Sequence, residues 1–95
     1  MSTPEPAEAS RVPRFRRGVK LRFDAARGQW VLLAPERAFV PNEIAAEILQ
    51  LVDGERAIAD IAALLAEKFS APLDVVLQDT ASVLADLAAR GAIDL

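Results

Sequence analysis

A single proline at position 41 does most to limit what this chain can fold into. The stretch 36–54, ERAFVPNEIAAEILQLVDG, carries an extended-compatible run at residues 37–40, followed at once by a residue that cannot donate to a strand ladder. A strand that ends at Pro41 belongs at the edge of a sheet. Asn42 is a strong helix N-cap, and Glu43 places an acid in the first turn, where it complements the helix dipole. Ile44, Ile48 and Leu51 recur at helical spacing, and Asp53-Gly54 offers a left-handed stop. One short edge strand is thus joined directly to a capped helix over about residues 43–52.

Upstream of that hinge, VKLRFD at 19–24 alternates apolar and charged with the period of a half-buried antiparallel strand, Val19, Leu21 and Phe23 facing inward. Gly28 can take the positive φ of a tight connection, and QWVLL at 29–33 makes a second strand that is apolar on both faces. Such a strand belongs in the middle of a sheet, with residues 37–40 as the third strand beside it. A hairpin alone is marginal, so the sheet must pack on the helices that follow.

Helix two is expected from about Ala57, with Ile58, Ile61, Leu65 and Phe69 on one stripe. Ser70-Ala71-Pro72 interrupts it. Helix three then covers about 73–90, with Leu73, Val76, Leu77, Thr80, Leu84 and Leu87 inward and Gly91 as its stop. The fold class is α+β, winged helix-turn-helix-like, an N-terminal three-stranded antiparallel sheet followed by a three-helix bundle. Residues 1–10, with two prolines and two glutamates, are expected to be a disordered tail, and 11–95 one domain. Residues 11–17 are an extended basic lead-in, either a solvated arm or a partner-binding segment.

Chemistry is bounded by what the chain lacks. It has no cysteine and no histidine, which removes disulfides, thiolate nucleophiles, imidazole bases and ordinary transition-metal sites. Its acids are spread along helix faces in the manner of solvated charges. We expect no enzyme, no catalytic residue, no metal and no cofactor. No run approaches the roughly 18 apolar residues of a membrane span, and the first ten residues lack the basic and apolar regions of a signal peptide. A cytoplasmic protein without a membrane partner is expected.

Charge is segregated along the chain. Between residues 11 and 27 seven bases face one acid, Asp24, for a net +6, whereas from residue 36 onward eleven acids face four bases, for a net −7. The third helix would carry Asp74, Asp79 and Asp86 with only Arg90, so as a recognition helix it would repel phosphate. No nucleic-acid partner is expected, and a winged-helix DNA-binding regulator acting through the basic strands is the alternative. A self-associating structural module is another, through the strand edge or by hairpin exchange across 34–36. The edge at 37–40 can also accept an extended peptide, beside an apolar shoulder of Val75, Val76 and Val83 around Asp79. Equally, Val76 and Val83 can be ordinary core residues.

Residues 42–54, NEIAAEILQLVDG, resemble the N-x-x-A-x-x-I-L-x-L-x-D-G signature of the pyrroloquinoline quinone (PQQ) biosynthesis protein D family, PqqD, within the peptide-recognition elements. The similarity extends over about residues 11–94: a basic proline-containing lead-in, the Arg22-Phe23-Asp24 hairpin, Ile61 and Leu65, and Asp79, Leu84, Leu87 and Gly91 in the closing helix. Ala57 departs from the Ser or Thr often found there, which puts a helix cap in question. The resemblance implies a chaperone that binds the precursor peptide PqqA by strand addition and presents it to the radical S-adenosylmethionine enzyme PqqE. It places the peptide on Arg37, Ala38, Phe39 and Val40 of the third strand and Val75, Val76, Asp79 and Val83 of the third helix. On charge alone, the enzyme is expected at Arg14, Arg16, Arg17, Lys20 and Arg22. The oligomeric expectation is a monomer in solution or a domain-exchanged homodimer. Phe39→Pro is expected to remove an edge N–H donor and weaken peptide binding, provided the fold survives by circular dichroism.

Overall fold

The computed structural model describes residues 6–95, with side chains from Glu8 onward. Its elements run α1 (Pro6–Ala9), β1 (Arg14–Phe15), β2 (Lys20–Asp24), β3 (Gln29–Ala34), β4 (Arg37–Phe39), α2 (Glu43–Leu49), α3 (Ile58–Phe69), α4 (Leu73–Ala89) and β5 (Ile93–Asp94). Two antiparallel sheets result, one ordered β2-β3-β4 and one made of β1 and β5.

The larger sheet turns first at residues 25–28, where Gly28 adopts φ +65 and Asp24 Oδ1 accepts the amides of Ala26 and Arg27. It turns again at Pro35 and Glu36, which leave Ala34 opposite Arg37, Leu33 opposite Ala38 and Leu32 opposite Phe39. Leu32, on the central strand, is wholly buried. Phe23, expected inward, is instead 48% exposed and meets Trp30 edge-on at 5.2 Å. It lies near the end of an edge strand, directly opposite Trp30 of β3.

Asn42 caps α2 as its type predicts, Oδ1 accepting the Ala45 amide at 2.8 Å. The helix ends at Leu49, before the expected residue 52, because the Leu51 and Val52 amides tighten to the carbonyls three residues back, Ile48 and Leu49. Asp53 does not stop α2; its carboxylate accepts the Glu55 and Arg56 amides and shapes the following turn. Those amides, Arg56's foremost, together with the Arg56 guanidinium at 3.2 Å, hold the Asp53 carboxyl below its ordinary value. Ala57 has no side-chain acceptor to cap α3, but Asp60 accepts the Ala57 amide at 2.9 Å, half of a capping box.

Both long helices end in Schellman motifs. In α3 the Ala71 amide reaches Ala66 O and Ser70 N–H reaches Glu67 O, and Ser70 sits in the left-handed region at φ +51. In α4 the Ala92 amide reaches Leu87 O, with Gly91 at φ +80. The core joins Leu32 to Ile48, Leu49, Ile58, Ile61, Leu65, Leu84, Leu87 and Ile93. Ile44, Phe69 and Leu73 were expected on the inward stripes and are exposed. Each stands at an end of its helix, past the reach of the neighbouring elements.

The N-terminal lead-in is fixed rather than free. Phe15 pairs with Ile93 and Arg14 with Asp94, the Arg16 amide donates to Ala92 O, and Arg11 O accepts the Ile58 amide. Pro13 is buried beneath this arrangement. Residues 6–9, placed by the sequence in a disordered tail, form one helical turn against α3 and α4; Pro6 suits a first helical position, and the Arg11 amide closes back on Glu8 O. Residues 1–5 of that expected tail lie outside the described residues.

Candidate functional site

Position along β4 determines which backbone groups are available. A two-residue hairpin closes on a hydrogen-bonded pair, here Ala34 and Arg37, and alternation makes Leu32 and Phe39 the next such pair. The N–H and C=O of Ala38 therefore point away from β3, as do those of Val40 beyond the last pair. Among the described residues, β4 has no further strand beside it in the sheet. Its open edge is a template for an added strand.

This edge runs antiparallel alongside α4. At one end Arg37 Nη2 donates to Arg90 O at 2.8 Å; at the other, Val40 shares a cleft of about 830 Å³ with Val76 and Asp79. The cleft is bounded by residues 28–30 at the start of β3, by residues 40–44, by α2, by Leu65 and Phe69 of α3, and by Val76, Asp79 and Thr80 of α4. Of the residues expected to hold a peptide, Val40, Val76 and Asp79 meet here. Ala38 is exposed on the open edge, and Phe39 is half-buried against the core with the Arg37 guanidinium 5.2 Å from its ring centroid. Val83 packs half-buried on the core, and Val75 is exposed outside the cleft lining.

The lining also contains groups that periodicity assigned elsewhere. Ile44 is 60% exposed and Phe69 55%, so both present apolar surface to the cleft, while Trp30 comes from the first residues of β3. Their signal was position: each lies at the end of an element, where a core stripe outruns its cover. Thr80 is wholly buried, and its hydroxyl lacks a hydrogen-bond partner among the described residues. Three acids line the cleft, Glu43, Glu47 and Asp79. Lys68 Nζ holds both Glu47 oxygens, at 2.8 and 3.1 Å.

The basic residues lie on β1, β2 and the segment between them. Arg14, Arg16, Arg17, Lys20 and Arg22 are all exposed, and Arg16 Nε is 3.5 Å from Asp94 Oδ1. β2 is the sheet edge opposite β4, and none of these five cations lines the cleft.

Residues 29–93, from β3 through the start of β5, match the family described as Coenzyme PQQ synthesis protein D (PqqD). The chain belongs to the PqqD family. It is 48% identical over 85 residues to the PqqA binding protein of Bradyrhizobium diazoefficiens, covering 90% of this chain and 82% of that one. The solution structure of the PqqD truncation of Methylobacterium extorquens PqqCD, a stand-alone recognition element for ribosomally synthesised and modified peptides, superposes with TM-score 0.80 at 40% identity, covering 92% and 93% of the two chains. Lasso peptide synthetase B1, solved with a leader peptide, shares the fold at TM-score 0.76 and 22% identity, over 90% of this chain and 100% of that one. The matched PqqD segment contains β4, α4 and every cleft-lining residue except Gly28, and leaves the basic residues 14–22 outside it.

Proposed function

We propose that this PqqD-family chain binds a PqqA precursor peptide as an added strand on β4, lays its side chains along α4, and presents it to the radical S-adenosylmethionine enzyme PqqE. The observation that carries the reading is the open backbone of Ala38 and Val40 beside the cleft that holds Val76 and Asp79. The PqqA binding proteins among its relatives support the choice of peptide. Arg37, Phe39, Val75 and Val83 complete the proposed peptide contacts, and the chain acts as a scaffold, not a catalyst. The enzyme docks on the exposed cations Arg14, Arg16, Arg17, Lys20 and Arg22, none of which lines the cleft. We infer a cytoplasmic monomer of winged-helix type, with hairpin exchange across 34–36 as the competing dimeric form.

The DNA-binding alternative is weaker on one specific contact. Arg90, the base at the end of α4, is held by Asp86 at 3.0 Å, and the rest of that helix offers exposed acids to phosphate. The deciding experiment is calorimetric titration of the folded chain with PqqA peptide, a scrambled peptide serving as control. Saturable one-to-one binding with a negative heat-capacity change supports the reading, since apolar surface is buried. Absence of binding to the folded chain refutes it.

A further inference from the structure

The cleft beside α4 is acidic at its mouth, apolar along its walls and polar at its floor. Glu43 and Asp79 are both exposed, and neither is paired with a cation among the described residues. Glu47, the remaining acid, is already neutralised by Lys68. No lysine or arginine lines the cleft among the described residues. Trp30, Ile44 and Val76 supply apolar wall. The buried Thr80 hydroxyl, unpartnered among the described residues, keeps its acceptor capacity unused. A hydroxyl in that state costs stability that a valine of similar size would recover. Uncompensated negative charge around an apolar channel, with a spare acceptor beneath, is complementary to a long alkyl stem that ends in a cation.

We propose that the cleft seats a lysine or arginine side chain of the bound precursor peptide, its stem against Trp30, Ile44 and Val76 and its cation at the carboxylates of Asp79 and Glu43. This rests on the peptide reading above and adds the residue class the peptide must present. Val40 both extends the open edge and lines the cleft, so a strand added to β4 continues directly into the subsite.

The test titrates PqqA peptide into the wild-type chain and into Asp79→Asn, Glu43→Gln and Thr80→Val, at low salt and at about 0.3 M salt. It repeats the series with a PqqA peptide in which every lysine and arginine is replaced by norleucine. Asp79→Asn is expected to weaken binding about fivefold at low salt and less at high salt. The norleucine peptide should bind more weakly to wild type and be indifferent to Asp79→Asn, the signature of a coupled pair. Thr80→Val should melt a few degrees higher yet bind the natural peptide more weakly. Wild-type affinity for the norleucine peptide, or an Asp79→Asn effect identical for both peptides, overturns the cation subsite. A Thr80→Val chain that melts higher and binds as wild type removes the hydroxyl from it. If the wild-type chain binds neither peptide, the peptide reading itself falls.

Discussion

Proline substitution at two adjacent residues of β4 separates the open edge from the paired one. Ala38 opposes Leu33 in a non-hydrogen-bonded pair, so Ala38→Pro leaves the β3–β4 ladder intact and deletes an outward N–H. If a peptide pairs there, its carbonyl loses a partner and meets a methylene instead. A lost hydrogen bond with one partner left unsatisfied costs about 2 kcal/mol, roughly thirtyfold in Kd. Phe39 is in the opposite situation: its N–H is directed at the buried Leu32, and its ring packs half-buried on the core. Phe39→Pro should therefore damage the fold, combining about 3 kcal/mol or more of backbone disruption with the loss of an aromatic side chain. That is a large part of the 5–15 kcal/mol that stabilises a typical domain. This corrects the expectation from sequence, which gave the edge donor to Phe39. Circular dichroism melting reads the fold, and calorimetry with PqqA reads the edge. A folded Ala38→Pro chain with wild-type affinity would refute strand addition, and a Phe39→Pro chain that melts normally but fails to bind would refute the assigned pairing.

Other perturbations probe single contacts. Arg37→Gln removes the tie to Arg90 O and should cost about 1 kcal/mol, seen as a melting point lower by roughly 4–8 °C. Ser70→Gly should stabilise by about 1 kcal/mol in urea unfolding, because glycine accepts φ +51 without the penalty serine bears. The Asp53 carboxyl, lowered by the Arg56 and Glu55 amides, contributes stability that is fully present above its unfolded value near 3.8 and is lost as pH falls through its lower folded value. Asp53→Asn should accordingly flatten the pH dependence of stability below about pH 4, read from urea midpoints at stepped pH.

Local signals carried much of the fold, and the remainder depended on distant pairing. Asn42 caps α2, Gly91 ends α4 and β3 lies central because each is fixed by a few neighbouring residues or by the two-sided apolar run QWVLL. The pairing of Arg14 and Phe15 with Asp94 and Ile93 could not be read, since two residues at each end of the chain carry no periodicity. Phe23, Ile44, Phe69 and Leu73 show a related limit. Periodicity identifies a face, whereas exposure depends on whether another element extends far enough to cover it. For the site, Pro41 exposed the edge strand and helical spacing brought Val76 and Asp79 together, but a cleft assembled from β3, α2, α3 and α4 also recruits Trp30 and Thr80, whose roles only the packing reveals.

The sheet has two edges, and an added strand must choose between them. β2 bears Lys20 and Arg22, whereas Val40, just past β4, lines the cleft with the acids Glu43 and Asp79, so the proposed cationic peptide would be favoured at β4. The edges are two strand spacings apart, about 10 Å, at which a charge pair in water is worth only about 0.4 kcal/mol, less in salt. Charge alone is therefore too weak to decide. Burial is larger: a peptide on β4 has α4 alongside and can bury apolar side chains, each about 100 Å² of removed surface contributing about 2.5 kcal/mol. On the β2 edge the exposed Lys20 and Arg22 flank the open backbone, so apolar side chains of a strand added there would lie beside charged groups. For the proposed peptide, the α4 flank marked by Arg90, Val76 and Asp79 therefore favours the β4 edge, and the charge division along the chain would strengthen that preference.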